Sequence, residues 1–180
     1  MSSTYDSMSD SSRLSRLERA ADTLEIRDVL TRYCQGVDRC DFDLAASAFH
    51  ADSTENHGPF VGRSLDFLNV VMPMLRQCEA LARHITSMSV KLDGNTALSE
   101  AYWLAFLREA TVDNIQSGRY LDRFERRNGE WRIAARLAVI DWWRIEPRNV
   151  LPFPHNAEAI LKWGKRGLDD PGVLAAIGAG

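Results

Sequence analysis

A phenol, a carboxylate and an imidazole occur at spacings that could bring them into one pocket. Tyr33 and Asp38 lie in the hexapeptide YCQGVD, and His84 follows 46 positions after the aspartate in LARHITSMSV. Such a trio can move protons without a metal or cofactor. The imidazole carries the proton, the carboxylate fixes its tautomer and balances its cation, and the phenol donates to an oxygen that gains charge. No HExxH spacing, Gly-rich phosphate loop or GxSxG elbow occurs, so neither a metal nor a cofactor is expected.

The elements that must position these groups can be read from hydrophobic periodicity. Ile26, Val29, Leu30, Tyr33, Cys34 and Val37 follow the spacing of one apolar helix face, which ends at Asp38. Asp22 and Glu25 read as a capping-box variant that restarts this helix, and Gly36 weakens its last turn. A carboxylate at a helix C-terminus costs about 0.3–1 kcal/mol, so Asp38 calls for a cationic partner, and His84 is the candidate. A short helix is expected over Phe42 to Phe49, capped by Asp43, then a strand and turn over 51–63. A third helix is expected from Leu65 to Cys78, capped by Ser64 and kinked at Pro73.

Beyond Cys78 the period falls to two. His84, Thr86, Met88, Val90 and Leu92 share one face of a strand, and Asp93-Gly94 and Asn128-Gly129 mark tight hairpins. Strands are expected over 96–109, 118–127 and 131–145. On the last, Arg136 and Arg144 lie an even number apart and share a face with Ile140 and Trp142. One of the two could bind a substrate anion, and an internal ion pair accounts for either. Helices followed by an antiparallel meander make the fold class α+β.

Residues 1–12 are Ser/Asp-rich with little to bury and read as a disordered tail. Residues 13–147 form the domain, and 148–180 read as a tail that docks on the core or on a neighbouring subunit. A hydrophobic fraction of 45% with 26% charged residues is globular composition. The formal charge of −3 argues against a nucleic-acid partner, which needs a basic face. No run is long and apolar enough to span a bilayer, so no membrane partner is expected. Cys34, Cys40 and Cys78 form no CxxC pair and read as reduced thiols, which places the chain in the cytoplasm.

The phrases RYCQGVDRCD, HADSTENHGPFVGR, ARHITS and GRYLDRFERRNGEWRIAARLAVIDW, in this order and spacing, resemble the SnoaL-like group of the nuclear-transport-factor-2-like superfamily. That group includes scytalone dehydratase, hexachlorocyclohexane dehydrochlorinase and bile-acid 7α-dehydratase. The resemblance covers roughly residues 24–147 and implies a cone-shaped α+β barrel, with three N-terminal helices packed on a curved, mainly antiparallel sheet. It places Asp38 and His84 at the group's Asp–His dyad, Tyr33 at the bile-acid dehydratase's tyrosine, and Arg144 near that enzyme's arginine. Tyr33 stands where the dehydrochlorinase has a lysine, which favours loss of water over loss of chloride.

The expected activity is therefore that of a cofactor-independent lyase. It would remove water from a small hydrophobic hydroxy-carbonyl substrate, with a steroid or bile-acid-like ring system as the leading guess. His84, Asp38 and Tyr33 are the expected catalytic residues, and Arg144, Trp142, Met88, His57 and Tyr120 the expected substrate-binding set. His57, in ENHG, reads either as a turn histidine or as part of the cavity mouth. The resemblance also implies a homo-oligomer, a trimer first and a dimer next. The same fold serves ketosteroid isomerases, cyclases and non-catalytic dioxygenase small subunits. A large exposed apolar patch on the outer sheet face, with a closed or filled cone, would favour such a non-catalytic binding or assembly role.

Overall fold

The structure, a computed structural model, describes residues 10–148 and Gly164. Helix α1 runs unbroken over Asp10–Arg39. Its first half lies in water with Leu14, Leu17 and Leu24 exposed, while its second half buries Ile26, Val29, Leu30, Tyr33, Cys34 and Val37. The restart expected at Asp22 does not occur. Asp22 instead ties the helix to the sheet, its Oδ1 accepting from Arg126 Nη1 at 2.6 Å and from Trp131 Nε1 at 2.9 Å.

Gly36 has a packing role. A Cβ there would sit 2.7 Å from the Ala45 Cα, so only glycine lets α2 (Phe42–Ala46) cross this closely. The cap of α2 is Asp41, which accepts the Leu44 N–H at 3.0 Å; Asp43, the expected cap, lies in the first turn. Strands β1 (Phe49–Asn56) and β2 (Val61–Arg63) lead into α3 (Ser64–Leu75), which contains Pro73. Ser64 is not the cap of α3 but its first helical residue, and Arg63 holds the cap position.

The meander consists of β3 (Ala80–Asp93), β4 (Thr96–Arg108), β5 (Val112–Arg127) and β6 (Glu130–Pro147). Asn128 and Gly129 both adopt positive φ, the twist that a two-residue hairpin requires. The six-stranded sheet has the order β2-β1-β6-β5-β4-β3, with β1 parallel to β6 and the other pairs antiparallel. The helices close its concave face over a core centred on Trp131, Phe49, Phe124, Leu68 and Met72. This is the α+β cone expected from the sequence. The C-terminal tail expected beyond residue 147 lies outside the described residues, apart from Arg148 and Gly164.

Two register shifts decide which side chains face the cone. On β3, Ile85 pairs with Trp103 and Met88 with Ala101, so three steps on β3 match two on β4. On β6, Ile140 pairs with Gly118 and Trp142 with Ser117, so two steps match one. An extra residue reverses the inward/outward alternation of everything beyond it.

Candidate functional site

A cavity of about 210 Å³ opens between the helices and the concave sheet face. Tyr33 from α1, Phe67 from α3, His57 from the β1–β2 turn, and Arg83, Trp103 and Tyr120 from the sheet supply its polar and aromatic wall.

The Asp38–His84 pair expected from the sequence does not face this cavity. His84 is exposed, pairs with Leu104, and packs its ring edge-to-face on Phe106 at 5.9 Å. The shift between Ile85 and Met88 is the reason. Met88, Val90 and Leu92 are partly buried against the core as expected, but Thr86 and Ser87 are both exposed and the alternation restarts out of phase. Arg83 and Ile85 therefore point inward where His84 and Thr86 were expected. Asp38 meets Arg83: its Oδ2 accepts the Arg83 backbone N–H at 2.7 Å, and its Oδ1 lies 3.4 Å from Nη1. A cation does compensate the carboxylate at the end of α1, as helix electrostatics demand, but it is a guanidinium.

The imidazole at the cavity belongs to His57. Its Nε2 lies 2.6 Å from Glu55 Oε1, and its ring stacks on Phe67 with centroids 4.0 Å apart. The Glu55 side chain has no exposed surface, while His57 keeps 20% of its side chain exposed. Because Nε2 faces a carboxylate, Nδ1 is the ring nitrogen left to accept a proton. Glu55 and His57 lie two residues apart on extended chain, which places both on one face. That spacing in ENHG was the available sequence signal for the pair.

Behind Glu55 lies a second charged pair. Arg136 holds Asp122 with two hydrogen bonds, Nε to Oδ1 at 2.7 Å and Nη2 to Oδ2 at 2.8 Å, and its Nη1 is 4.0 Å from Glu55 Oε1. The guanidinium carbon also lies 3.9 Å from the Tyr120 ring centroid and 4.3 Å from that of Tyr33. Arg136 is thus a cation enclosed by two carboxylates and three aromatic rings, Phe49 being the third at 5.5 Å, an arrangement that offsets its desolvation.

Tyr33 and Tyr120 pack edge-to-face at 5.7 Å. Burial raises both phenols above their ordinary range, Tyr33 the further. They stay protonated at neutral pH, so a phenol O–H is available to donate. Among the described residues, no three His, Cys, Asp or Glu side chains gather as a metal site.

Of the expected substrate-binding set, His57 and Tyr120 line the cavity. The other three residues do not line it. Met88 packs partly buried against the core. Trp142 pairs with Ser117 and is 48% exposed. Arg144 points to solvent and pairs with Glu146. The β6 register shift separates Arg144 from Arg136: eight positions would share a face in a regular strand, but the extra residue sends Arg144 outward. Each arginine does form an internal ion pair.

The SnoaL-like domain family matches residues 18–137 of the chain. No curated protein matches. Among solved structures, the hexachlorocyclohexane dehydrochlorinase of Novosphingobium barchaimii superposes with a TM-score of 0.65 at 17% identity, over 77% of this chain and 97% of that one. A scytalone dehydratase candidate from Novosphingobium aromaticivorans gives a TM-score of 0.65 at 17% identity, covering 70% and 88%. A Mycobacterium tuberculosis protein of unknown function gives 0.63 at 26% identity, covering 69% and 74%.

Proposed function

We propose, for a chain that belongs to the SnoaL-like domain family, a cofactor-independent elimination of water from a small hydroxy-carbonyl substrate, with His57 as the proton carrier. The observation that carries this reading is the buried Glu55 carboxylate held 2.6 Å from a cavity-wall imidazole. His57 Nδ1 takes a proton from the carbon beside the carbonyl, and the bonding pair moves to the carbonyl oxygen as an enolate. The enolate collapses to a carbon–carbon double bond, and the departing hydroxyl takes the same proton from His57 and leaves as water. Glu55 fixes the tautomer and faces the imidazolium. A phenol O–H of Tyr33 or Tyr120 donates to the enolate oxygen. A placed base contributes about 10²–10⁴-fold and an oxyanion donor about 10²–10³-fold.

The cavity of about 210 Å³ is smaller than the roughly 300–1,000 Å³ typical of drug-sized sites. That supports a substrate of one or two rings over a four-ring steroid or bile acid. Purified protein incubated with one- and two-ring β-hydroxy ketones should produce enones, and His57→Gln should abolish this. Enone formation by His57→Gln at the parent rate would remove the reading. Deuterium uptake from solvent without loss of water would redirect it to an isomerase.

A second feature favours self-assembly. Leu98, Tyr102, Phe106 and Leu137 are exposed on the sheet, and the register places them on its convex face around a cluster of Arg119 with Glu100 and Asp141. An apolar patch around a self-balanced ion cluster suits a second copy of this chain. A trimer, then a dimer, is the expected state. Light scattering of Leu137→Glu should read a smaller particle than the parent.

A further inference from the structure

Arg83 gives the cavity wall a cation with an unused donor. Among the described cavity-lining residues it is the one guanidinium, and no carboxylate lines the wall. Glu55 stands behind His57, and Asp38 accepts the Arg83 backbone N–H at 2.7 Å. The guanidinium Nη1 lies 3.4 Å from Asp38 Oδ1, and its buried Nε has no acceptor. The indole Nε1 of Trp103, also in the wall, is likewise buried without an acceptor. The Arg83 side chain keeps only 11% of its surface exposed. A buried guanidinium whose Nε lacks an acceptor is costly, even with Asp38 beside its other end. A planar oxyanion meets its fork geometry, and the rings of Phe67, Trp103 and Tyr120 suit a flat apolar body.

We propose that the ligand of this cavity is a small planar anion, a one-ring carboxylate or its close analogue, with the carboxylate on Arg83 and the ring between the aromatic walls. The inference rests on the elimination reading and narrows its substrate to a hydroxy-carbonyl ring that also bears a carboxylate. Arg83 then sets specificity while His57 handles the proton.

Calorimetric titration with benzoate and with benzamide, which match in shape and differ in charge, tests this. Benzoate should bind at least about ten-fold tighter than benzamide, the difference expected of one charge-assisted hydrogen bond. The double variant Asp38→Asn/Arg83→Met, which leaves no orphaned carboxylate, should bind the two alike. Arg83→Lys should keep part of the preference. Equal binding by the wild-type protein, no saturable binding of benzoate, or a preference that survives in the double variant would each overturn the proposal. The wild-type comparison decides even if the double variant does not fold. Because the titration reads binding without turnover, its failure leaves the elimination reading standing. Full activity of His57→Gln would remove that reading and leave the titration intact.

Discussion

Glu55 Oε1 lies 2.6 Å from His57 Nε2, and the same oxygen lies 4.0 Å from Arg136 Nη1. One carboxylate oxygen therefore links the cavity imidazole to the buried Arg136–Asp122 pair. Without its partner, the imidazole could adopt either tautomer, and only the one protonated on Nε2 presents a basic Nδ1. Glu55→Gln keeps the shape and removes the charge, so it should cut turnover about 10²–10⁴-fold. Steady-state rates beside the circular dichroism of the folded protein check this. An unchanged rate would mean that Glu55 serves structure alone.

His84→Ala should leave turnover within about two-fold, since an exposed ring outside the cavity affects no transition state. Arg144→Ala should behave alike, because its exposed pair with Glu146 contributes about 0–1 kcal/mol. Initial rates of both variants beside His57→Gln provide the test. A collapse of activity in His84→Ala would return the chemistry to the strand position first expected.

Arg136→Met should cost about 3–5 kcal/mol, because it leaves Asp122 and Glu55 buried without their cation. Urea denaturation measures the loss. Adding Asp122→Asn should recover part of it, since the second change removes one of the orphaned charges.

Stability should decline in alkali. Burial pushes the Cys34 thiol from 9.0 to about 11, and burial likewise raises Tyr33 and Tyr120. A group raised on folding binds more protons in the native state. Its contribution is complete below its unfolded value and is lost as pH climbs through its folded value. Denaturant midpoints should therefore hold to about pH 9 and fall from there towards pH 11 and beyond. Cys34→Ala should flatten the first part of that fall. A midpoint constant up to pH 11 would contradict the burial of these groups.

Much of the fold could be read along the chain because it rests on local patterns. The apolar stripe from Ile26 to Val37 predicted the buried half of α1, and Asn128-Gly129 predicted its hairpin from the positive φ that both residues adopt. The cap of α2 was harder to read. Asp41 and Asp43 are both good caps by residue type, and the backbone path after Arg39 selects Asp41. Gly36 read as a weak point, and its use becomes visible only where Ala45 crosses it.

Site residues depended on something that hydrophobic alternation does not record. Residue types and order along the chain determined the α+β cone, the helix that delivers Tyr33 and Asp38, and the need for a cation beside that carboxylate. Tertiary structure decided which cation and which imidazole. The extra residues on β3 and β6 turn Arg83 inward, His84 outward and Arg144 to solvent. The physical reason is that side-chain direction in a sheet follows pairing with the neighbouring strand. One unpaired residue inverts the face of all that follow, and it is fixed by the curvature the sheet needs to close around its helices.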